Sequence, residues 1–379
     1  LEAPPPLAAC RIPGAPEATR SLEISKDNDI TIHRNDKTVK ATKVSVNGGK
    51  KELSVRGGSP LLGTLAAEGI FIPSACGGRG SCGACKCKVV TDVGPHLPTE
   101  TPYLSPEEMA RNVRLACQVK VRKDLEIELP EELFRVRKFA ARVERIRDLT
   151  YDIKEVLFAL EGQEIEFEPG QYVQLVVPPY DKLPESVQRA YSMSSRPGDP
   201  RHVELLIRLV PGGIATTYVH RHLKEGDRAE LVGPFGDFGV RDTPATMLCV
   251  AGGSGMAPFK SILHHMKETG AWPEKEIWYF FGARTTKDMF YLEELRELAA
   301  SWPRFHFVAA LSEPRPEENW QGDSGLITDV LDRYIREKID PAKGFEGYLC
   351  GSPGMINACV AVMKKNGVGE DKIYFDKFA

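Results

Sequence analysis

No stretch of this 379-residue sequence stays apolar over the about eighteen residues that a membrane-spanning helix needs. Neither sign of charge dominates. The 50 Lys and Arg stand against 53 Asp and Glu, a net charge of −3, which removes the basic footprint of a nucleic-acid partner. Internal repeats and long low-complexity segments are absent, and no catalytic triad is evident. His220 and His222 are two apart on an expected helix and share no face, while His264 and His265 are adjacent and equally ill placed to chelate. All four read as surface or packing residues. Cysteine is sparse at nine residues, an odd count of which four fall between Cys76 and Cys87, in and just after a Gly-rich loop, and the rest are scattered. That distribution argues against a disulfide framework and for a metal cluster in a reducing compartment.

What is present divides into a tail and three blocks. The opening LEAPPPLAACRIPGAPEATR is rich in Pro and Ala, and residues 1–28 are expected to be a tether or disordered tail. Leu7-Ala8-Ala9-Cys10 has the look of a lipoprotein cleavage site, but no basic and apolar stretch precedes it. In the first block, about 29–131, the alternating KATKVSVNG and KKELSVRG flank Asn47-Gly48, a hairpin signal. A short helix from Pro60 to Glu68 follows, with Ser59 as its expected cap and Pro60 at its first position. A cysteine-rich loop and a strand from Leu125 to Leu129 complete the block. The second, about 138–240, strings together short alternating segments such as PGQYVQLVV, HVELLIRLV and DRAELVG, which predict a small antiparallel barrel. The third, about 244–379, alternates apolar strands (MLCVAGG, EIWYFFGA, FHFVAALSE, GYLCG, KIYFDKF) with amphipathic helices, the order of a doubly wound, mostly parallel sheet.

The segment Cys76-GGRGS-Cys82-GA-Cys85, with Cys117 further on, places three thiols in one tight loop and a fourth on a distant segment. A [2Fe–2S] cluster needs four thiolates, and its glycines turn backbone amides toward the sulfurs. Five residues separate the first two cysteines, one more than in plant ferredoxins. Zinc is the rival reading, because Cys82 and Cys85 form a CxxC pair, but no second pair exists. Cys87, on an expected strand, reads as a small apolar core residue.

In Arg189-Ala190-Tyr191-Ser192 strand alternation puts Arg189 and Tyr191 on one side, a guanidinium fork for pyrophosphate beside an aromatic face for a flat ring. Downstream, Gly213-Ile214-Ala215-Thr216-Thr217 opens a helix whose free amides and two hydroxyls suit phosphate. Gly252-Gly253-Ser254-Gly255-Met256-Ala257-Pro258 follows an apolar strand and precedes a helix, the context that a dinucleotide loop requires. Cys350-Gly351-Ser352-Pro353 ends a later strand at the same sheet edge. Glu313, after another strand, suits the ribose hydroxyls and repels a 2′-phosphate, which favours NADH over NADPH; Arg284 pulls the other way.

These motifs, in this order, resemble the ferredoxin:NADP reductase superfamily and, more closely, the F-subunit family of sodium-translocating NADH:quinone oxidoreductases. SACGGRGSCGAC, RLACQV, IELPEELF, RAYSM, GPFG, GGSGMAP, ARTTKDMFY, ALSEPRPEENW and CGSPGMINA carry the likeness over about residues 40–379. The resemblance implies a β-grasp ferredoxin domain, a β-barrel FAD domain and a parallel-sheet NAD domain. It implies Cys76, Cys82, Cys85 and Cys117 as cluster ligands. FAD would be held by Arg189, Tyr191 and Ser192, with Gly213, Thr216 and Thr217 at the pyrophosphate. NADH would meet Gly252, Gly253, Gly255, Pro258, Glu313, Cys350 and Gly351. Cys350 and Ser192 would stand at the reacting rings, and Phe378 would cover the flavin until NADH arrives. Electrons would run from NADH through FAD and the [2Fe–2S] cluster to a one-electron acceptor among other subunits of a membrane complex, with the chain in the cytoplasm at the inner face of the membrane. Three departures stand out: no membrane helix at the start, a short PPYDKLPESVQ ahead of RAYS, and Arg79 and Ser352 in place of family residues. The first two also suit a soluble reductase feeding an oxygenase. A non-catalytic metal or redox sensor on a nucleotide-binding scaffold is the reading from a different class.

Overall fold

The computed structural model describes residues 21–24, 30–33, 39–74 and 76–377. Val39–Val46 and Lys51–Arg56 pair antiparallel around Asn47 and Gly48, both at positive φ, as the dipeptide predicts. Asn47 also fastens the far end of the sheet, since its Oδ1 accepts from Leu129 N at 2.7 Å and its Nδ2 donates to Leu129 O at 2.9 Å. Leu125–Glu128 joins Val39–Val46 in parallel, and Lys86–Val89 and Val113–Leu115 extend the sheet. Helix Leu61–Ala67 lies across it, burying Leu61 and Leu65 with Val44, Val46 and Ile127. The helix begins one residue later than expected. Pro60 has an extended ψ of 141° and bridges Lys120, so Pro60 and not Ser59 occupies the cap position. Within the expected tail, Ser21–Ile24 is a strand paired antiparallel with Ile30–His33; residues 1–20 and 25–29 lie outside the described residues.

Six antiparallel strands form the second sheet, in the spatial order Val187–Ser192, Tyr172–Val177, Arg228–Phe235, Arg137–Asp148, Ile153–Leu160, His202–Arg208. The sheet curls until its two ends meet at the bridge between Met193 and Leu205, closing a small barrel around Val173, Leu175, Phe158 and Leu231.

The third sheet is wholly parallel, ordered Asp323–Ser324, Phe305–Leu311, Ile277–Ala283, Thr246–Gly252, Phe345–Gly351, Ile373–Lys377. Helices Ala257–Thr269 and Leu292–Ser301 cover one face, and Ile327–Glu337 and Pro353–Lys365 the other. Chain order reverses between Thr246–Gly252 and Phe345–Gly351, and at such a switch point the carboxyl ends of the strands open a crevice for ligand. The barrel lies between the other two units. Its Val232 and Phe235 share the apolar core of the ferredoxin-like sheet, while its Ile153 and Leu206 share that of the parallel sheet. Among the described residues no helix is long and apolar enough to cross a membrane.

Candidate functional site

The four loop and distant cysteines are brought together, but not around one point. Among the described residues no three His, Cys, Asp or Glu side chains close on a single ion. The thiols instead form two hydrogen-bonded pairs, Cys76 with Cys82 and Cys85 with Cys117. A single tetrahedral zinc would gather all four, whereas a two-iron cluster takes its ligands in two pairs, so the arrangement fits [2Fe–2S]. Burial opposes the charged form of Cys76, yet the amides of Ser81 and Gly78 and the Cys82 thiol outweigh it and bring Cys76 down to about 7. The Cys85 thiol, ahead of the opposing burial, holds Cys117 down at about 6. Cys87 packs in the core on strand Lys86–Val89, and burial pushes its thiol up to about 12.

Beside this loop runs the strand Val187–Ser192. Its register sets Arg189 opposite Leu175 and Tyr191 opposite Val173, so the two share a face as alternation requires. Arg189 Nη1 donates to Cys76 O at 3.4 Å, and Arg79 Nε donates to the same carbonyl at 3.2 Å. Burial, with the neighbouring Arg79 second, pulls Arg189 below the usual guanidinium range. Tyr172, one strand over, stacks on Phe235 with ring centroids 5.5 Å apart. Gly213 precedes helix Ile214–Arg221, whose first amides have no intrahelical acceptor and no side-chain cap. The turn there is tight: a Cβ on Gly213 would lie 2.5 Å from Thr216 Oγ1. Thr216 Oγ1 accepts from Val210 N at 3.1 Å, bracing the turn, and Thr217 is half-buried.

At the switch point Gly252, Gly253 and Gly255 form the loop before helix Ala257–Thr269, with Pro258 in that helix's first turn. Gly255 is required by close approach, since a Cβ there would lie 2.2 Å from Cys350 O. Cys350 and Gly351, at the end of the adjacent strand, therefore lie against the dinucleotide loop. Glu313 and Arg284, which the sequence set against one another, are a pair: Arg284 Nη2 meets Glu313 Oε2 at 3.1 Å and Nε meets Oε1 at 3.2 Å. The Arg284 guanidinium holds the Glu313 carboxyl below the usual carboxylate range. Phe378 lies outside the described residues; the strand before it, Ile373–Lys377, sets Asp376 beside Cys350.

Two features escape a reading of the sequence. Ser192 Oγ donates to Asp376 Oδ2 at 2.7 Å, joining the barrel to the last strand of the parallel sheet. A buried charge cluster forms a second seam. Glu155, 1% exposed, takes Arg147 Nη2 at 2.8 Å, Arg145 Nη2 at 3.2 Å and the Tyr291 hydroxyl, and Lys260 Nζ meets Glu204 Oε1 at 2.7 Å. No local motif marks any of these. Of the histidines, His264 pairs with Glu294 at 3.1 Å and His220 meets Ile207 O at 2.9 Å.

Three domain families match in chain order. These are the 2Fe-2S iron-sulfur cluster binding domain over residues 44–122, the oxidoreductase FAD-binding domain over 140–239 and the oxidoreductase NAD-binding domain over 249–361. Fold, site and matches together define an NADH-dependent FAD/[2Fe–2S] oxidoreductase. The F-subunit of the Na(+)-translocating NADH-quinone reductase of Neisseria meningitidis is 37% identical over 88% of this chain and 91% of its own length. Its counterpart from Idiomarina loihiensis is 36% identical over 86% and 89%. The chain belongs to this F-subunit family. Among solved structures it is similar to the cytochrome P450 reductase GcoB of Amycolatopsis, with a TM-score of 0.70 and 31% identity over 89% of this chain and 98% of that one. The ferredoxin reductase of carbazole 1,9a-dioxygenase gives a TM-score of 0.66 at 28% identity, with the same coverage.

Proposed function

We propose that this chain delivers electrons from NADH to an acceptor carried by other subunits of a membrane-bound quinone reductase. When bound, FAD accepts the hydride pair from NADH and the [2Fe–2S] cluster passes single electrons onward. The chain's own residues do the placing. Cys76, Cys82, Cys85 and Cys117 would hold the cluster. Arg189 and Tyr191 present cation and ring along one strand face, and the amides after Gly213 would receive the pyrophosphate. Thr216 braces that turn and Thr217 adds a hydroxyl. Ser192, oriented by Asp376, supplies a hydroxyl at the flavin edge. Gly252, Gly253, Gly255 and Pro258 shape the loop for the NADH pyrophosphate, with Cys350 and Gly351 bordering the nicotinamide and Glu313 the adenosine ribose. A cover over the flavin by Phe378 rests on the resemblance alone.

The observation that carries the reading is the Arg189 contact with the Cys76 carbonyl, because it sets the strand Val187–Ser192 directly against the cysteine loop. The residues that would hold FAD and those that would hold the cluster therefore stand side by side. The named relatives support a quinone-reductase acceptor. A second reading, an oxygenase partner, draws on the P450 and dioxygenase reductases that this chain matches over nearly their whole length. Untagged purification from native membranes separates the two: co-elution with integral membrane subunits and NADH-driven quinone reduction support the first, and elution with an oxygenase component overturns it.

A further inference from the structure

Gln118 directly follows Cys117, and its side chain turns back so that Nε2 donates to Cys117 Sγ at 3.4 Å. The amide is fixed from its far side, where Oε1 accepts from Thr99 Oγ1 at 2.9 Å. Room for it exists because residue 80 is glycine; a Cβ there would lie 2.6 Å from Nε2. The backbone amide of Gly80 donates to the same sulfur. Cys117 is only 8% exposed, so the amide that touches its sulfur also helps to keep water away from it.

We propose that Gln118 is a positioning residue that sets the reduction potential of the bound cluster through its N–H to Cys117 Sγ, with Thr99 holding the amide in the donating orientation. This rests on the reading of Cys117 as a cluster ligand. An N–H aimed at a ligand sulfur stabilises whichever state places more negative charge there. Reduction adds an electron, so the donor favours the reduced state and raises the potential. Hydrogen bonds with one ionised partner are roughly twice as strong as neutral ones, which makes a single donor measurable.

Three variants separate donation from packing. Gln118→Met keeps length and cover but has no N–H. Gln118→Glu still accepts from Thr99 and replaces the donor with a charge. Thr99→Val leaves the donor in place but unfixed. Each is titrated anaerobically as the holoprotein, with iron content, the visible spectrum and the paramagnetic signal of the reduced cluster as readouts. Gln118→Met is expected to shift the reduction equilibrium roughly tenfold toward the oxidised state, about 59 mV for a one-electron couple. Gln118→Glu should fall further and Thr99→Val should lie between Gln118→Met and the unmodified protein, all with full iron. Full iron with an unmoved potential in Gln118→Met overturns the proposal. If Gln118→Met loses iron, Thr99→Val decides, and an unmoved potential there overturns it as well. Cys117→Ala is the control for the underlying reading: a cluster retained in that variant defeats both.

Discussion

Ser192 and Asp376 stand 184 residues apart in the chain, and their side chains meet at 2.7 Å. The contact closes the barrel onto the last strand of the nucleotide sheet at the point where Cys350 lies beside Asp376. Burial there pushes the Asp376 carboxyl above its ordinary range. A carboxyl raised in the fold adds stability below its unfolded pKa, and that gain is lost as pH rises through the folded pKa. Asp376→Asn carries no charge to bury. Its melting temperature should therefore gain on that of the unmodified protein as pH rises from about 4, with the gap levelling off above the folded pKa. Thermal melts of both proteins across that range check this; a gap that does not change with pH would show that no buried carboxylate titrates there.

The seam formed by Glu155, Glu204, Lys260 and Tyr291 gives a second test. Lys260→Ala leaves Glu204 without its 2.7 Å ammonium partner in a largely buried place. Breaking one side of a buried pair typically destabilises by about 3–5 kcal/mol. Denaturant unfolding should show a loss in that range, with iron content unchanged because none of the seam residues belongs to the core around the ferredoxin-like sheet. A loss near zero would mean that the seam is wetter than its burial indicates.

Much of this was readable from local pattern. The cysteine spacing, the Asn47-Gly48 hairpin and the Gly252–Pro258 loop each need only a few consecutive residues, and each appears where the pattern put it. The contacts that join the units were not readable. Asp376 looks like any carboxylate near a strand end, Glu155 lies in an unremarkable alternating strand, and nothing near Arg189 in the sequence announces the Cys76 carbonyl that the fold brings to it. The Ser192–Asp376, Glu155–Tyr291 and Arg189–Cys76 meetings span 184, 136 and 113 residues and depend on how three sheets dock, which no periodicity encodes. Helix start at Leu61 was missed by one residue for a smaller reason: the Pro60 bridge to Lys120 is itself a long-range pairing.

Coenzyme choice should turn on the Arg284–Glu313 pair. With Glu313 at the ribose as proposed, Glu313→Ser should remove a charge that repels a 2′-phosphate and at the same time free Arg284 to meet one. The kcat/KM ratio for NADH over NADPH should fall on the order of tenfold, and Arg284→Ala in the same background should restore part of it. Steady-state kinetics with both coenzymes decide the matter. Equal use of the two by the unmodified protein would remove Glu313 from the ribose site.

The most direct measurement of electron order is anaerobic stopped-flow mixing of the holoprotein with NADH, following flavin bleaching and cluster reduction together, alongside Cys82→Ala. The expected result in the unmodified protein is flavin bleaching first and cluster reduction after it. In Cys82→Ala the flavin should still be present and still bleach, ferricyanide should still be reduced, and no cluster signal should appear. Cluster reduction by NADH in flavin-depleted protein, or loss of flavin together with iron in Cys82→Ala, would contradict the route from NADH through FAD to the [2Fe–2S] cluster.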